Sequence, residues 1–473
     1  MRTTPNKQPT MASIDRLTPM NMKLSALTLA VAVLSGCSFI PTYERPAAPV
    51  PASFPGQAAD VAAGAALPAW DTVVADARLR DLIALALQNN RDLRVAALNM
   101  EQVRAAYQIK RADQFPTLNL AASGNRQPNS SGGISSTYSA GLAMASWELD
   151  FFGRVAALKD TALAQFLASE EAKRAAQTSL VAAVANGWLA LQADEELLDL
   201  TQRTLTTRED SLRLTKLRFD NGVASALDLR QAESLAAAAR GSQAQLQRNR
   251  ALDLNALTLL VGQTPPAALL PTASTSSVAM RAVPEGLPSD LLARRAAIRQ
   301  AEQALIAANA NIGAARAAFF PRIALTASVG SASSELSGLF KDGSWGFTLA
   351  PQAVLPIFDA GRNQAGLDSA KVGRDIAVAQ YEKAIQTAFR EVADALAGRA
   401  TLGEQLTALQ QQANADAERL RLSELRYRGG VASSLDWLDA QRSLFATQQS
   451  LTQIQLAQQQ NQVALYKALG GGY

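Results

Sequence analysis

The sequence predicts a mainly α-helical chain with four β-strands suited to a membrane barrel, and three observations predict this class. No proline occurs over 129–264 or after 356 in the 473 residues, which permits unusually long helices. Two pairs of segments of about ten residues alternate apolar with small or polar side chains, as strands of membrane barrels do. LRLTKLRFDNGVASALDLRQAE (212–233) is nearly repeated as LRLSELRYRGGVASSLDWLDAQ (420–441), with 12 of 22 positions identical at an offset of 208. The chain therefore contains two copies of one structural unit.

The composition argues against catalysis. The chain is 48% apolar, 18% charged and 5% aromatic, and its net charge of +4 includes no basic block, so nucleic acid is not a predicted partner. It has no histidine and one cysteine, Cys37. Ser-His-Asp and Cys-His catalysis, imidazole metal sites and an intrachain disulfide are therefore excluded. We predict no catalytic residue, no metal and no enzymatic activity.

The first element is a targeting segment. The apolar run 24–33 is too short to span a bilayer but suits a signal peptide, and it leads into LSGC (34–37). This tetrapeptide resembles the lipobox of bacterial lipoproteins, which implies diacylglycerol and an N-acyl chain on Cys37. Residues 1–36 are thus predicted to be a signal peptide with an N-terminal extension. Translation could start at Met1, Met11, Met20 or Met22, and a buried cysteine is the alternative interpretation of Cys37.

The next element, 37–70, is predicted to be a lipidated strap, since five prolines fall between Pro41 and Pro55. Repeat 1 follows over 71–265, then a linker over 266–286 and repeat 2 over 287–473. Each repeat reads helix, β-hairpin, long helix, glycine turn, helix. The predicted hairpins and helix-hairpin tips lie at about 117–150 and 220–224 in repeat 1, and at about 322–357 and 428–432 in repeat 2.

The long helices carry a regular apolar spacing. Leu191, Leu198, Leu205, Leu212 and Phe219 recur every seven residues, which is typical of a helix packed along a partner. An ordinary solvated bundle has the same periodicity and stays open as an alternative.

The strands restrict the assembly. An open sheet edge leaves unpaired backbone groups in hydrocarbon, and the smallest membrane barrels use about eight strands. Four strands per chain cannot close a barrel, so several copies must contribute to one. The alternative is a soluble protein whose hairpins pack on its own helices.

The arrangement resembles the TolC family of outer-membrane efflux ducts, in particular its lipoprotein branch with OprM-like and NodT-like members. The likeness covers nearly all of 37–470. It is carried by the lipobox, by Phe-Pro before each hairpin (115–116 and 320–321), by WELDFFGR (147–154) and LPIFDAGR (355–362), and by the repeated tip segments. The resemblance implies a homotrimer with a twelve-stranded barrel, four strands per chain, in the outer membrane of a Gram-negative bacterium. A long α-helical barrel would continue it through the periplasm.

The resemblance also implies site residues. The predicted docking tips for a periplasmic adaptor are Asn221, Gly222, Val223, Gly429, Gly430 and Val431. The predicted pore gate consists of Asp436, Asp439, Tyr427 and Asp228. Simple helix capping and a solvated helix face are the alternatives for the tips and the acids respectively.

The gate pattern is incomplete in this chain. Asp436 and Asp439 are spaced i,i+3 and should face one side of their helix, but repeat 1 has Gln231 opposite Asp439. Tyr427 matches the family's latch tyrosine, whereas the latch arginine position falls on Ala432. A looser latch, or one that uses Arg426 or Arg428, is the hypothesis.

The predicted function is a passive outer-membrane channel of a tripartite efflux system that exports drugs or small amphiphilic molecules. Its predicted partners are a periplasmic adaptor, an inner-membrane transporter of the resistance-nodulation-division type, and outer-membrane lipid. A duct for type I protein secretion is the alternative with the same fold, and a soluble coiled-coil lipoprotein is the alternative of another class. The sequence leaves open the substrate, the cognate pump and the resting state of the gate.

Overall fold

The structure is a computed structural model that describes residues 38–51, 53–54, 69–128, 130, 132–273, 280–281 and 294–471. Cys37 and the predicted signal peptide lie outside the described residues. The α-helices are α1 Trp70–Val73, α2 Ala77–Asn89, α3 Arg91–Ala112, α4 Arg154–Asp220, α5 Ala226–Val261, α6 Ala296–Ala317, α7 Arg362–Arg428 and α8 Ser434–Ala468. The strands are β1 Leu118–Pro128, β2 Ile134–Leu149, β3 Arg322–Ser333 and β4 Trp345–Val354.

The chain forms two compact units. The strand unit contains Gln108–Thr161 and Ala308–Val372, together with the described residues up to Tyr43. The helical unit contains the described residues of Glu44–Tyr107, Ala162–Ala307 and Gly373–Tyr473. The two compact units therefore differ from the two predicted repeats, because each repeat contributes residues to both units.

In the strand unit, the four strands form one antiparallel sheet in the order β1-β2-β3-β4. Leu118 is opposite Met144 and Leu120 is opposite Leu142. Because partners in register share a face, these apolar side chains form a continuous row on one side. On the other face the hydroxyls of Ser123 and Ser139 are hydrogen-bonded at 2.8 Å. The alternation in the sequence thus becomes one apolar and one polar face.

An ionic cluster lies where the sheet meets α4. The Glu148 carboxylate accepts hydrogen bonds from Arg154 Nε at 2.8 Å and Nη2 at 2.6 Å, and from Arg322 Nε at 2.7 Å. It thereby connects β2, α4 and β3, which come from both repeats. Next to it the ring of Phe320 stacks on that of Phe152, with 5.0 Å between centroids.

The described start of the strap packs on α6 and on the segment that follows it. The ring of Phe39 stacks on Phe320 at 4.6 Å, and Asn309 Nδ2 donates to the Pro41 carbonyl at 2.7 Å. A Cβ on Gly313 would lie 2.6 Å from the Ile40 side chain, so glycine is required for this approach. The first described residues of the strap are therefore packed against the strand unit.

Helices α4 and α7 each have 67 residues, about six times the usual helix length, and most of each lies in the helical unit. The indole of Trp188 is fully buried and donates to the Leu269 carbonyl at 3.0 Å. The predicted seven-residue row is buried in part, since Leu191 and Leu205 are buried whereas Phe219 is exposed. None of the described helices is both long enough and apolar enough to cross a bilayer.

Candidate functional site

The site is formed by two helical hairpins of the helical unit: the first hairpin is α4 with α5, and the second is α7 with α8. Each turns at a glycine in the left-handed region, Gly222 and Gly430, both with φ of 74°. In the first turn, the Val223 amide donates to the Arg218 carbonyl at 2.8 Å, and the Gly222 amide donates to the Phe219 carbonyl at 2.9 Å. These are the paired bonds of a Schellman motif, which favours glycine because it carries no Cβ.

The second turn has the same geometry. The Val431 amide donates to the Arg426 carbonyl at 2.9 Å, and the Gly430 amide donates to the Tyr427 carbonyl at 3.1 Å. The repeated sequence therefore produces two equivalent tips. All six residues predicted for docking lie on them, with Val223 65% and Val431 73% exposed.

Asp228 and Asp436 occupy equivalent capping positions. The Ser225 hydroxyl accepts from the Asp228 amide at 3.1 Å while the Asp228 carboxylate accepts from the Ser225 amide at 3.0 Å. In the second hairpin, the Ser433 hydroxyl accepts from the Asp436 amide at 3.3 Å. This capping role is not among the predictions for the two acids, although Ser-x-x-Asp before a helix is its recognised signal.

Two contacts connect the two hairpins near the tips. Arg218 Nη1 donates to the Tyr427 hydroxyl at 2.7 Å, and its guanidinium carbon lies 5.2 Å from the centre of the same ring. The Ser434 hydroxyl donates to the Asp228 carboxylate. Tyr427 is held from its own side by Trp437, whose ring stacks on it at 5.0 Å. Arg218, Tyr427, Asp228 and Ser434 together are named here the cross-hairpin latch.

The arginine that contacts Tyr427 across the two hairpins is Arg218. Of the two arginines that the sequence hypothesis names, Arg426 and Arg428, Arg428 pairs with Glu424 on its own helix at 2.5 Å. Arg218 lies 208 residues before Arg426, so it occupies the equivalent position in the other repeat. The family resemblance implies a latch arginine on the second hairpin, whereas Arg218 lies on the first.

The predicted gate acids differ in their surroundings. Asp436 is exposed. Asp439 accepts from Arg419 Nη2 at 2.6 Å and also pairs with Arg442, and the Arg419 hydrogen bond holds the pKa of Asp439 below its usual value. The hydrogen bond from Ser434, followed by that from Ser225, likewise lowers the pKa of Asp228. The acids therefore do not form one uniform free cluster.

A third contact between the hairpins involves a buried cation. Arg208 of α4 is only 4% exposed, and its guanidinium carbon lies 4.9 Å from the centre of the Phe445 ring on α8. Its Nη1 donates to the Leu235 carbonyl at 3.1 Å, and burial lowers its pKa. No sequence motif marks Arg208, so this contact is not among the predictions.

One acid of α4 titrates near neutral pH. Burial, then the negative charges of Asp253 and Glu195, raise the pKa of Asp194 to about 6. Its Oδ2 is buried and has no hydrogen-bond partner within the part of the chain that the structure describes. The ionised form is therefore unfavourable in the folded protein.

We expect Asp194→Asn to raise the melting temperature at pH 7.5 by about 2–4 °C. The folded-state pKa exceeds the unfolded value of 3.8, so the ionised side chain destabilises above about pH 6 and this cost disappears as pH falls toward 3.8. The gain should therefore shrink below pH 6 and be absent at pH 4. Thermal melts at both pH values measure it.

The matched control for this prediction is Asp210→Asn on the same helix. Asp210 is exposed and paired with Arg213 at 2.7 Å, so its amide should give no gain at either pH. An equal gain from Asp194→Asn at pH 4 and pH 7.5 would contradict the assignment.

Metal binding has no basis in the described residues, among which no group of three or more His, Cys, Asp or Glu side chains could hold an ion.

Comparisons with known proteins give the family. The family model described as "Outer membrane efflux protein" matches residues 82–263 and 287–471. The toluene efflux pump outer membrane protein TtgC of Pseudomonas putida is 48% identical over 468 residues, 96% of each chain. The antibiotic efflux pump outer membrane protein ArpC of Pseudomonas putida has the same identity and coverage.

Solved structures agree. A membrane protein from Pseudomonas aeruginosa is 45% identical with a TM-score of 0.87, over 92% of this chain and 98% of that one. The open state of the MtrE outer membrane channel of Neisseria gonorrhoeae is 42% identical with a TM-score of 0.84, over the same shares.

The chain belongs to the outer membrane efflux protein family. It is an outer-membrane efflux channel and not an enzyme. The predicted resemblance and fold class are confirmed: a mainly helical chain with four strands per chain for a membrane barrel and two internal repeats.

Proposed function

We propose that three copies of this chain form a gated, passive export duct of a tripartite efflux pump. The cross-hairpin latch is the observation that carries this proposal, because it fastens the two hairpin tips of one chain to each other. The relatives named for toluene and antibiotic efflux support small amphiphilic molecules as the exported class. The alternative, a duct for type I protein secretion, receives no support from these relatives.

The open edges of the sheet require strands from further copies of the chain. β1 and β4 are its two edges, and both need a partner strand in the membrane. Three chains give twelve strands, which is the number that the family resemblance implies, so a homotrimer is the proposed assembly.

The latch suggests how the gate works. In the closed state Arg218 binds Tyr427 and Ser434 binds Asp228, so the second hairpin cannot move away from the first. Opening breaks both contacts and separates the tips. Asp436 then contributes one exposed carboxylate per chain near the mouth, and an acidic ring of this kind favours cations over anions. Asp439 is proposed to join it only if its two arginine pairs open.

The exposed tips are the proposed docking surface for a periplasmic adaptor that connects the channel to a resistance-nodulation-division transporter. Val223 and Val431 are largely exposed, as are Leu217, Leu227 and Leu435 around them. Exposed apolar side chains concentrated at both tips indicate a surface that a partner covers.

The outer-membrane anchor is proposed to be lipid on Cys37. The packing of Phe39 and Pro41 in the strand unit supports this proposal, since it holds the chain next to Cys37 against the unit that carries the membrane strands. The mass of the mature amino terminus tests it: a terminal cysteine without acyl chains would overturn the anchor.

The export proposal predicts that this chain restores tolerance to toluene and antibiotics in a strain that lacks its own outer-membrane efflux channel. Minimal inhibitory concentrations measure this. The double variant Val223→Asp, Val431→Asp should fail to restore tolerance, because charge on both tips disfavours apolar docking, yet it should still conduct ions in planar bilayers.

The matched control is Val223→Ala, Val431→Ala, which should retain most of the tolerance. Export of a secreted protein without restored tolerance would contradict efflux, and full tolerance with both aspartates would contradict docking at the tips.

A further inference from the structure

The two edges of the sheet carry an unpartnered apolar surface. On β1, Leu118 and Leu120 are exposed, and just after β4 Ile357 is 93% and Phe358 90% exposed. We propose that β4 and its continuation pair with β1 of a second copy in one register, in which Ala353 is opposite Ala122. This inference rests on the proposed shared barrel and adds to it the alignment of the strands between chains.

The register follows from the pairing between the repeats inside one chain. β2 of repeat 1 lies beside β3 of repeat 2, with Leu149 opposite Ile323 and Trp147 opposite Leu325. In a closed ring of repeats, repeat 2 of one chain must lie beside repeat 1 of the next in the same way. The internal junction is therefore a template for the junction between chains.

The offsets between the repeats identify which residues at the junction between chains are equivalent to those at the internal junction. Ile357 lies 208 residues after Leu149, and Leu118 lies 205 residues before Ile323. The template therefore places Ile357 of one chain opposite Leu118 of the next. By the same offsets, Leu355 corresponds to Trp147 and Leu120 corresponds to Leu325, which gives a second pair.

Strand β2 contains a bulge between these pairs and Met144. The register of β2 shifts between Met144 and Trp147, so repeat 1 has one extra residue there. Leu118 is opposite Met144 in repeat 1 and Ile323 is opposite Ala353 in repeat 2, so the offset before the bulge is 209.

The pair of the internal junction on the other side of the bulge gives the proposed pairing of Ala353 with Ala122. Met144 is opposite Ala327, and these positions correspond to Ala353 and Ala122. The pairs Ile357 with Leu118, Leu355 with Leu120, and Ala353 with Ala122 follow one uninterrupted antiparallel ladder. Two independent parts of the template, on either side of the bulge, therefore agree on one alignment.

Burial supports the same junction. Leu149 is half-buried because β3 covers it, whereas Ile357 at the equivalent position is almost fully exposed. The missing cover is the strand that a second copy would provide. All three pairs also lie on the apolar face, which continues the row that contains Leu120 and Leu142.

The two junctions differ in chemistry. Inside the chain, Glu148 of β2 binds Arg322 of β3. The equivalent positions between chains are Pro356 and Thr117, which cannot form an ion pair. The junction between chains is thus held by backbone pairing and apolar contact, and the ionic bridge belongs to the internal junction.

Disulfide cross-linking tests the register in the full-length, membrane-inserted protein. Directly opposite positions in an antiparallel pair have Cα atoms about 4.5–5.5 Å apart, within disulfide range. Oxidation should join Ala122→Cys with Ala353→Cys, or the adjacent pair Ala121→Cys with Val354→Cys, into covalent dimers and trimers. β1 and β4 are opposite edges of one sheet, so these links form between chains.

The matched control is Ala122→Cys with Pro351→Cys, which represents a slip of two residues on the same face. It should give less than about a tenth of the cross-linked product, because diagonal neighbours lie beyond disulfide reach. Single-cysteine variants control for links through Cys37.

The outcomes separate the register from the assembly. Preferential linking of the slipped pair, or no linking in a protein that sediments as a trimer, overturns the register alone. A detergent-solubilised protein that sediments as a monomer overturns the proposed shared barrel.

Discussion

Replacing Arg218 with methionine should raise the open probability of the channel in planar bilayers by at least tenfold. The substitution removes the hydrogen bond to the Tyr427 hydroxyl and the cation over its ring. A hydrogen bond to a charged group contributes about 1.5–3 kcal/mol, and partial exposure reduces this to about 1 kcal/mol per chain. Three chains together lose about 3 kcal/mol of closed-state stability, and every 1.4 kcal/mol is about tenfold in the open-to-closed ratio.

Two further variants locate the effect in the latch. Tyr427→Phe keeps the ring under the guanidinium but removes the hydroxyl, so its increase should be smaller than that of Arg218→Met. The open probability of the double variant should be only slightly higher than that of Arg218→Met, since both substitutions remove the same interaction.

Arg230→Met is the matched control, because Arg230 is exposed and pairs only with Glu233 of its own helix in the described contacts. It should leave conduction unchanged. A wild-type open probability for Arg218→Met, in trimers of normal stability, would exclude the latch from gating.

Most of the fold could be predicted because it is specified locally and twice. The alternation of apolar and polar residues predicts the two faces of the strands, and the long stretches without proline permit the long helices. The offsets of 205 and 208 residues align the two repeats. The bulge in β2 could not be predicted, since the one-residue difference is visible only when the strand partners are known. The Glu148 cluster was missed for a similar reason: its members are 6 and 174 residues apart.

The tips were predicted better than the latch. Gly222 and Gly430 are marked by local turn chemistry, and the structure places both at positive φ. Arg218 contacts Tyr427 and Arg208 contacts Phe445, each on the other hairpin. These contacts depend on how the long helices are rotated about their axes. Spacing along one helix does not determine this rotation.

Replacing Glu148 with glutamine should destabilise the folded channel by about 2 kcal/mol, the largest single effect on stability that we expect. The Glu148 side chain is 10% exposed and binds Arg154 and Arg322. Removing one partner of a buried ion pair costs about 3–5 kcal/mol because the remaining charge is uncompensated. The side chains of Arg154 and Arg322 are 35% and 59% exposed, so solvent screens the charges left behind and reduces the expected loss to about 2 kcal/mol. The temperature at which detergent-resistant trimers dissociate measures the loss.

A cycle with Arg322 separates charge compensation from packing. If Glu148 serves to neutralise both arginines, Arg322→Gln should cost much less stability in the Glu148→Gln background than in the wild type. Glu335→Gln, at an exposed site of the same unit, should change nothing. Because β2, α4 and β3 come from both repeats, a wild-type dissociation temperature for Glu148→Gln would mean that backbone pairing and apolar contact join the repeats without the ionic cluster. The internal junction and the junction between chains would then be held in the same way.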